Sequence, residues 1–245
     1  MNRFFVDPAD IQGDQVFLSR AQAHQICHVL RLRSDDRVIV LDNSGWEYEV
    51  ALAAVSPSAV TARVVERRPS LGEPQVNLAL YQGLLARDKF EWVLQKCTEV
   101  GVTRFWPVVT ERSLVRTTHA FGKDRMDRWI RILTEAAEQS HRGRIPQLEV
   151  PTRLDQALTA ACQQEVRLLA SPVAGEQSLR EALATGTRPA SVALLVGPEA
   201  GLSDREVDAA RLAGWRPFNL GRRILRTETA AMVASALVLY ELGQM

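Results

Sequence analysis

The sequence predicts an α/β protein, with a small β-barrel at the N-terminus followed by a mostly parallel sheet flanked by helices. Three observations predict it. Short strand-like runs separated by turn residues are evenly spaced in the first seventy residues. From Val76 onward, strand-like and helix-like segments alternate. Val192-Ala193-Leu194-Leu195-Val196 is short and wholly apolar, as suits a central parallel strand covered on both faces.

In the first part, Arg37–Leu41 is an apolar strand and Asn43-Ser44-Gly45 a turn. Trp46–Val50 alternates large apolar with acidic residues, and Ser56-Pro57-Ser58 leads into a strand over Val60–Val65. Residues 66–75, charged and containing two prolines and a glycine, read as a linker. Val76–Tyr81 is the next strand. A helix follows with Phe90, Val93, Leu94 and Cys97 on one stripe, capped by Asp88 with Glu91 and ended by Gly101. Val102–Val109 is a strand. Met126, Trp129, Ile130, Leu133, Ala136 and Ala137 recur at helical spacing. Val166–Ala170 is a strand, and Ser178 with Glu181 caps a short helix. Ser203 with Glu206 caps another helix, ended by Gly214. After a strand at Pro217–Leu220, the segment Ala230–Leu242 is apolar almost all round, as in a helix buried in a core or pressed against another chain.

The chain has 245 residues and a formal net charge of +1. No net field draws it to nucleic acid or to an anionic membrane, so such binding needs a local patch. No apolar run approaches the roughly 20 residues of a membrane span. The start, MNRFFVDPAD, has no basic flank before an apolar stretch, so a cytoplasmic protein is expected. Cys27, Cys97 and Cys162 are far apart and read as reduced thiols. Only Lys89, Lys96 and Lys123 of the thirty cations are lysines. That bias reads as codon preference or as recognition of phosphates and carboxylates.

Four motifs stand out. Val196-Gly197-Pro198-Glu199-Ala200-Gly201 lies between an apolar strand and a capped helix, where open parallel sheets bind ligands. It lacks the glycine spacing of a dinucleotide fingerprint or a Walker loop. Leu220-Gly221-Arg222-Arg223-Ile224-Leu225-Arg226-Thr227-Glu228-Thr229-Ala230 is a polar loop before the last helix. It is either a solvated turn capped by Thr227 or a ligand loop. A polar set comprises Lys89, Lys96, Arg112, Arg116, Gln139, Arg142 and Arg144. Twelve Lys and Arg against ten Asp and Glu over residues 71–150 permit a phosphate stripe without requiring one. His24 and His28 share a helix face, but no third ligand is near in sequence, so no metal is expected.

Taken together these pieces resemble the RsmE-type ribosomal RNA methyltransferases of the SPOUT superfamily, over the whole chain. The segments that carry the resemblance are His28–Leu32, Asp88–Trp92 with Gln95-Lys96 and Thr98–Val102, and Glu135–Ser140 with Arg142 and Pro146. To these add Gly197–Gly201 and Leu220–Ala230. Ala200 stands where the family usually has glycine. The resemblance implies a PUA-like barrel over residues 1–70 that helps grip RNA. It also implies a methyltransferase domain over 74–245 with a trefoil knot that binds S-adenosylmethionine. It implies a homodimer methylating N3 of a uridine in the decoding region of 16S ribosomal RNA, in the small subunit.

On this reading Ala170, Ser171, Pro172, Val196, Gly197, Pro198, Glu199, Gly201, Leu220, Gly221, Ile224, Leu225, Arg226, Thr229 and Ala230 hold the cofactor. Lys89, Lys96, Arg112 and Arg142 contact phosphates. Arg226 stabilises the developing uridine anion, and Glu228 or Glu199 either takes the N3 proton or holds the loop or cofactor. A ribose or transfer-RNA methyltransferase of the same superfamily, and an RNA-binding protein without turnover, are the alternatives.

Overall fold

The computed structural model describes residues 1–113, 121–171, 177–184 and 186–245. The chain forms two compact units, Met1–Glu73 with Thr134–Ile145, and Pro74–Leu133 with Pro146–Met245.

In the first unit six strands, β1 (Arg3–Phe5), β2 (Ile11–Gln12), β3 (Gln15–Leu18), β4 (Arg37–Leu41), β5 (Trp46–Val55) and β6 (Val60–Pro69), lie in the order β1-β4-β5-β6-β3-β2. Phe4, from one edge, shares a buried cluster with Val16 and Leu18 near the other edge, and with Val38, Val40, Val50 and Leu52. One core shared across so many strands fits a curved sheet. Register shifts at Glu49/Val50 and Leu52/Ala54 in β5 supply the bend. The outer side of β4 is also covered: Ile39 and Leu41 pack with Phe5, Ala137 and Ile145. This is why residues 134–145, distant in sequence, belong to this unit.

The linker reading of 66–75 is corrected over its first four residues, because β6 continues to Pro69. Arg68 sits opposite Glu47 and pairs with it at 2.7 Å, and reaches Glu66 at 3.1 Å. The cross-strand pair of Arg68 with Glu47 supports a strand whose composition resembles a linker. Helix α1 (Arg20–His24) starts at a capping box of Ser19 and Gln22 and runs into a π-helical turn over Gln25–Leu30.

In the second unit the strands are β7 (Asn77–Gly83), β8 (Arg104–Val109), β9 (Gln147–Leu148), β10 (Thr152–Arg153), β11 (Val166–Ala170), β12 (Gln177–Ser178), β13 (Ser191–Val196) and β14 (Arg216–Asn219). Their order is β10-β8-β7-β13-β11-β14-β12, with β9 also on β8, and every pairing is parallel. The helices are α2 (Arg87–Val100), α3 (Lys123–Gln139, which begins here and ends in the first unit), α4 (Leu154–Ala160), α5 (Leu179–Leu183), α6 (Asp204–Leu212) and α7 (Thr227–Glu241). The side of β13 carrying Ala193 and Leu195 packs with Leu154, Ala157 and Leu158 of α4 and Ala210 of α6. Helices α2 and α7 pack on each other, and α7 also packs on β7 and β13. The apolar run of β13 is thus buried on both faces.

Capping boxes form at Ser178/Glu181 and Ser203/Glu206. The cap expected from Asp88 and Glu91 does not form: Ala86 is the N-cap of α2, and Glu91 instead accepts two bonds from Arg128 at 2.6 and 2.7 Å. Ile130, expected in the apolar stripe of α3, is 46% exposed. Among the described residues, no helix is long and apolar enough to cross a membrane.

Candidate functional site

Strand β11 lies between β13 and β14, and all three are parallel, so the chain leaves all three at one end of the sheet. Ser171, just past β11, donates its backbone N–H to Phe218 O at 2.9 Å. Gly201 closes a turn on Pro198 O at 2.9 Å, with φ +70°. Gly221, with φ +96°, donates its N–H to the Asn219 side chain at 3.0 Å. These left-handed positions favour glycine. Chain neighbours aside, no atom of the described residues lies within 4 Å of where a Cβ would stand on Gly201 or Gly221, leaving open space at both.

The segment after β14 then crosses the end of β11. Strand β14 pairs with β11, but Thr227 donates its hydroxyl to Gly197 O, beyond β13, at 2.5 Å. The two glycine-bearing motifs are therefore brought together. Thr227 is the first residue of α7 rather than its cap, which is Arg226. Its hydroxyl is committed to the loop.

Gln82, at the end of β7, joins the same knot of bonds. Its Nε2 donates to Gly83 O at 3.0 Å and lies 3.3 Å from Gly197 O and 3.2 Å from Thr227 Oγ1. The side chain is buried, and its Oε1 has no hydrogen-bond partner. Glu228 Oε2 is likewise buried and without a partner. Two unsatisfied acceptors beside one pair of loops suit a ligand that brings N–H and O–H donors. Sequence reading did not single out Gln82. Its signal was a polar residue ending the apolar run Leu78–Tyr81.

Gly83 lets the loop approach. A Cβ there would lie 2.6 Å from Pro198 N and Cδ and 3.0 Å from Gly197 C. Backbone must move to admit it, which costs about 1–3 kcal/mol. Gly83→Ala is therefore expected to push this loop off the end of β7 and to lower the melting temperature in scanning calorimetry.

Arg226 is exposed, and its guanidinium has no ion pair or side-chain hydrogen bond with another described residue. Glu199 accepts from Ala86 N and Lys89 Nζ, both at 3.3 Å. Ala170 ends β11, and Val196 ends β13. Leu220, Leu225, Thr229 and Ala230 are half-buried around the crossing segment, and Ile224 is 87% exposed. Pro172 and Arg116 lie outside the described residues.

The expected phosphate contacts are all engaged within the chain. Lys89 faces Glu199, Lys96 pairs with Glu99 at 2.8 Å, and Arg112 donates to Ala200 O and Leu202 O at 3.2 and 3.1 Å. Arg142 requires correction. It is 2% exposed and paired with Glu73 at 2.9 Å, and a guanidinium held there cannot meet an RNA phosphate. Cys97 is fully buried, which pushes its thiol up to about 12, so it offers no nucleophile.

A family model described as an RNA methyltransferase domain matches residues 72–239, and one described as an RNA methyltransferase PUA domain matches residues 18–65. The chain is 34% identical to the ribosomal RNA small subunit methyltransferase E of Synechocystis, over 96% of this chain and 76% of that one. It is 31% identical to the protein of the same name from Bacillus subtilis, over 98% and 97%. The crystal structure of ribosomal RNA small subunit methyltransferase E from Neisseria gonorrhoeae bound to S-adenosyl methionine superimposes with a TM-score of 0.87, at 28% identity, covering 98% and 97% of the two chains. Fold, loop geometry and sequence agree, and the chain belongs to the RNA methyltransferase family that includes ribosomal RNA small subunit methyltransferase E.

Proposed function

We propose that this chain transfers the methyl group of S-adenosylmethionine to N3 of a uridine in the decoding region of 16S ribosomal RNA, within the small ribosomal subunit. It does so as a cytoplasmic homodimer and without a metal ion. The observation that carries this reading is the bond from Thr227 to Gly197, which brings both glycine-bearing motifs to one end of the sheet beside two unsatisfied buried acceptors. The crossing of residues 220–226 over β11 is also what a trefoil threading needs.

When bound, S-adenosylmethionine supplies an activated sulfonium methyl, so positioning accounts for much of the rate. Backbone groups of residues 170–171, 196–201 and 220–226 hold it, with Ile224 and Leu225 offering apolar surface to the adenine and Thr229 and Ala230 closing the pocket. Uridine N3 carries a proton that must leave. Glu228 is the better base, because Glu199 is occupied by Lys89 and by the Ala86 N–H. Arg226, unpaired within the described residues, stabilises the negative charge that spreads to uridine O2 and O4. The target base leaves its stack at a cost of a few kcal/mol, offset by contacts to the flanking strand.

Helix α7 supports the dimer. Ala231, Ala234, Ser235, Val238 and Leu239 form its buried stripe, whereas Leu237 is 39% and Tyr240 65% exposed on a helix apolar almost all round. Leu237→Glu is expected to shift the protein toward monomer in sedimentation or light scattering. An unchanged mass would remove this helix from the interface.

The decisive experiment is mass spectrometry of nucleosides from ribosomal RNA of cells lacking the gene. Loss of one N3-methyluridine is expected, restored by the gene. Loss of a ribose methyl would overturn the proposed target atom.

A further inference from the structure

The loop after β13 is held at its far end by residues outside its own motif. Glu206 supplies one anchor. It is buried, and its two carboxylate oxygens serve two segments of the chain. Oε2 accepts Ser203 N at 2.8 Å, which is its half of the capping box at the start of α6. Oε1 accepts Glu111 N, also at 2.8 Å, from the turn that follows β8. Arg112, in the same turn, supplies the other anchor. Its Nη1 donates to Ala200 O at 3.2 Å and to Leu202 O at 3.1 Å.

The turn makes a firm base. Thr110 and Ser113 are buried, Ser113 N donates to Thr110 O at 3.2 Å, and Thr110 N donates to Ser113 Oγ at 3.1 Å. Strand β7 stands between β8 and β13, and both pairings are parallel. The two anchors therefore join the ends of strands that the sheet itself does not pair. The near end of the loop is held separately, by Thr227 and Gln82 at Gly197 O.

Neither anchor is needed for local structure alone. A glutamine at the position of Glu206 would complete the capping box with its one oxygen, so the bond to Glu111 goes beyond what α6 requires. Arg112 is exposed, yet its guanidinium is turned onto two carbonyls of the loop. Bonds with one charged partner are roughly twice as strong as neutral ones. We infer that Arg112 and Glu206 are positioning residues for the methyl donor: they clamp residues 200–203 to the turn after β8 and so fix the shape of the loop in advance. A loop already ordered loses less freedom on binding, so the clamp acts on cofactor affinity. The inference rests on the reading of residues 196–201 as a cofactor loop. It gives Arg112 a part different from the phosphate contact expected from the sequence.

The test uses the full-length protein, calorimetry with S-adenosylmethionine, and steady-state transfer to small ribosomal subunits. Arg112→Ala is expected to raise Kd and KM for S-adenosylmethionine about tenfold or more, the scale of a lost charge-assisted bond. Its kcat at saturating cofactor, and its KM for the subunit, stay within about twofold of the parent. Arg112→Lys recovers most of the affinity, because an ammonium also carries a donor for each carbonyl. Glu206→Gln loses cofactor affinity on the same scale. The double variant Arg112→Ala with Glu206→Gln loses less than the product of the two single losses, since either change frees the same segment. Glu206 is buried, and if its variant melts early the two Arg112 variants carry the test. Parental Kd for S-adenosylmethionine in Arg112→Ala would overturn the clamp, as would fully multiplicative losses in the double variant. So would a fall of about 0.7 in the slope of log RNA affinity against log salt in Arg112→Ala, which would put Arg112 on a phosphate. A parental protein that fails to bind S-adenosylmethionine would overturn the reading of the loop and the clamp with it.

Discussion

Arg226→Ala should bind S-adenosylmethionine with near-parental affinity and lose at least ~100-fold in methyl transfer, the scale of one transition-state donor. The expectation rests on placement. Arg226 is the N-cap of α7 with extended backbone, φ −63° and ψ 150°, so its backbone can stay where it is when the side chain is cut. Its carbonyl still accepts from Ala230 N at 2.8 Å. The loop contact to Gly197 belongs to Thr227 and does not pass through Arg226. Calorimetry and tritium transfer from labelled cofactor separate the two effects, and transfer within a fewfold of the parent would remove Arg226 from the chemistry. Arg226→Lys should recover only part of the loss, because an ammonium lacks the planar, fixed donor fork that a guanidinium aims at a carbonyl oxygen.

Glu228→Gln is the second large effect, with a loss of about 10²–10⁴-fold in single-turnover transfer, as for a missing general base. Glu199→Gln is the control. Its carboxylate ties the loop to Lys89 and to Ala86, so its loss should appear mainly as weaker cofactor binding. If Glu199→Gln abolishes transfer and Glu228→Gln does not, the two roles exchange.

Elements with strong patterns were legible in the sequence. The run Val192–Val196 has no polar residue to dispute its burial, and Ser203 with Glu206 carries its cap in three positions. Strands β1, β2 and β3 were not foreseen. They have three, two and four residues, too few to show a period of two against noise. The stripe on α3 was legible, but not that Ala137 covers β4, since periodicity marks a buried face without naming what buries it. At the site, the two glycine-bearing motifs were readable from residue types and turn signals. Their meeting was not, because it depends on β11 lying between β13 and β14. Arg142 was misread because a charge does not announce its partner: Glu73 stands 69 positions earlier. Gln82 escaped notice because a single amide at a strand end looks like a strand that is simply over.

The second contribution to the first unit, Thr134–Ile145, bears on how the protein can be taken apart. A fragment stopping after Glu73 would leave Phe5, Ile39 and Leu41 without Ala137 and Ile145, and would strip Glu73 of its arginine. Each large apolar side chain so uncovered forfeits up to about 1.5–3 kcal/mol. The N-terminal piece is therefore no autonomous cassette to be cut out or grafted elsewhere. Its evolutionary fate is tied to a helix that the other half of the chain must supply.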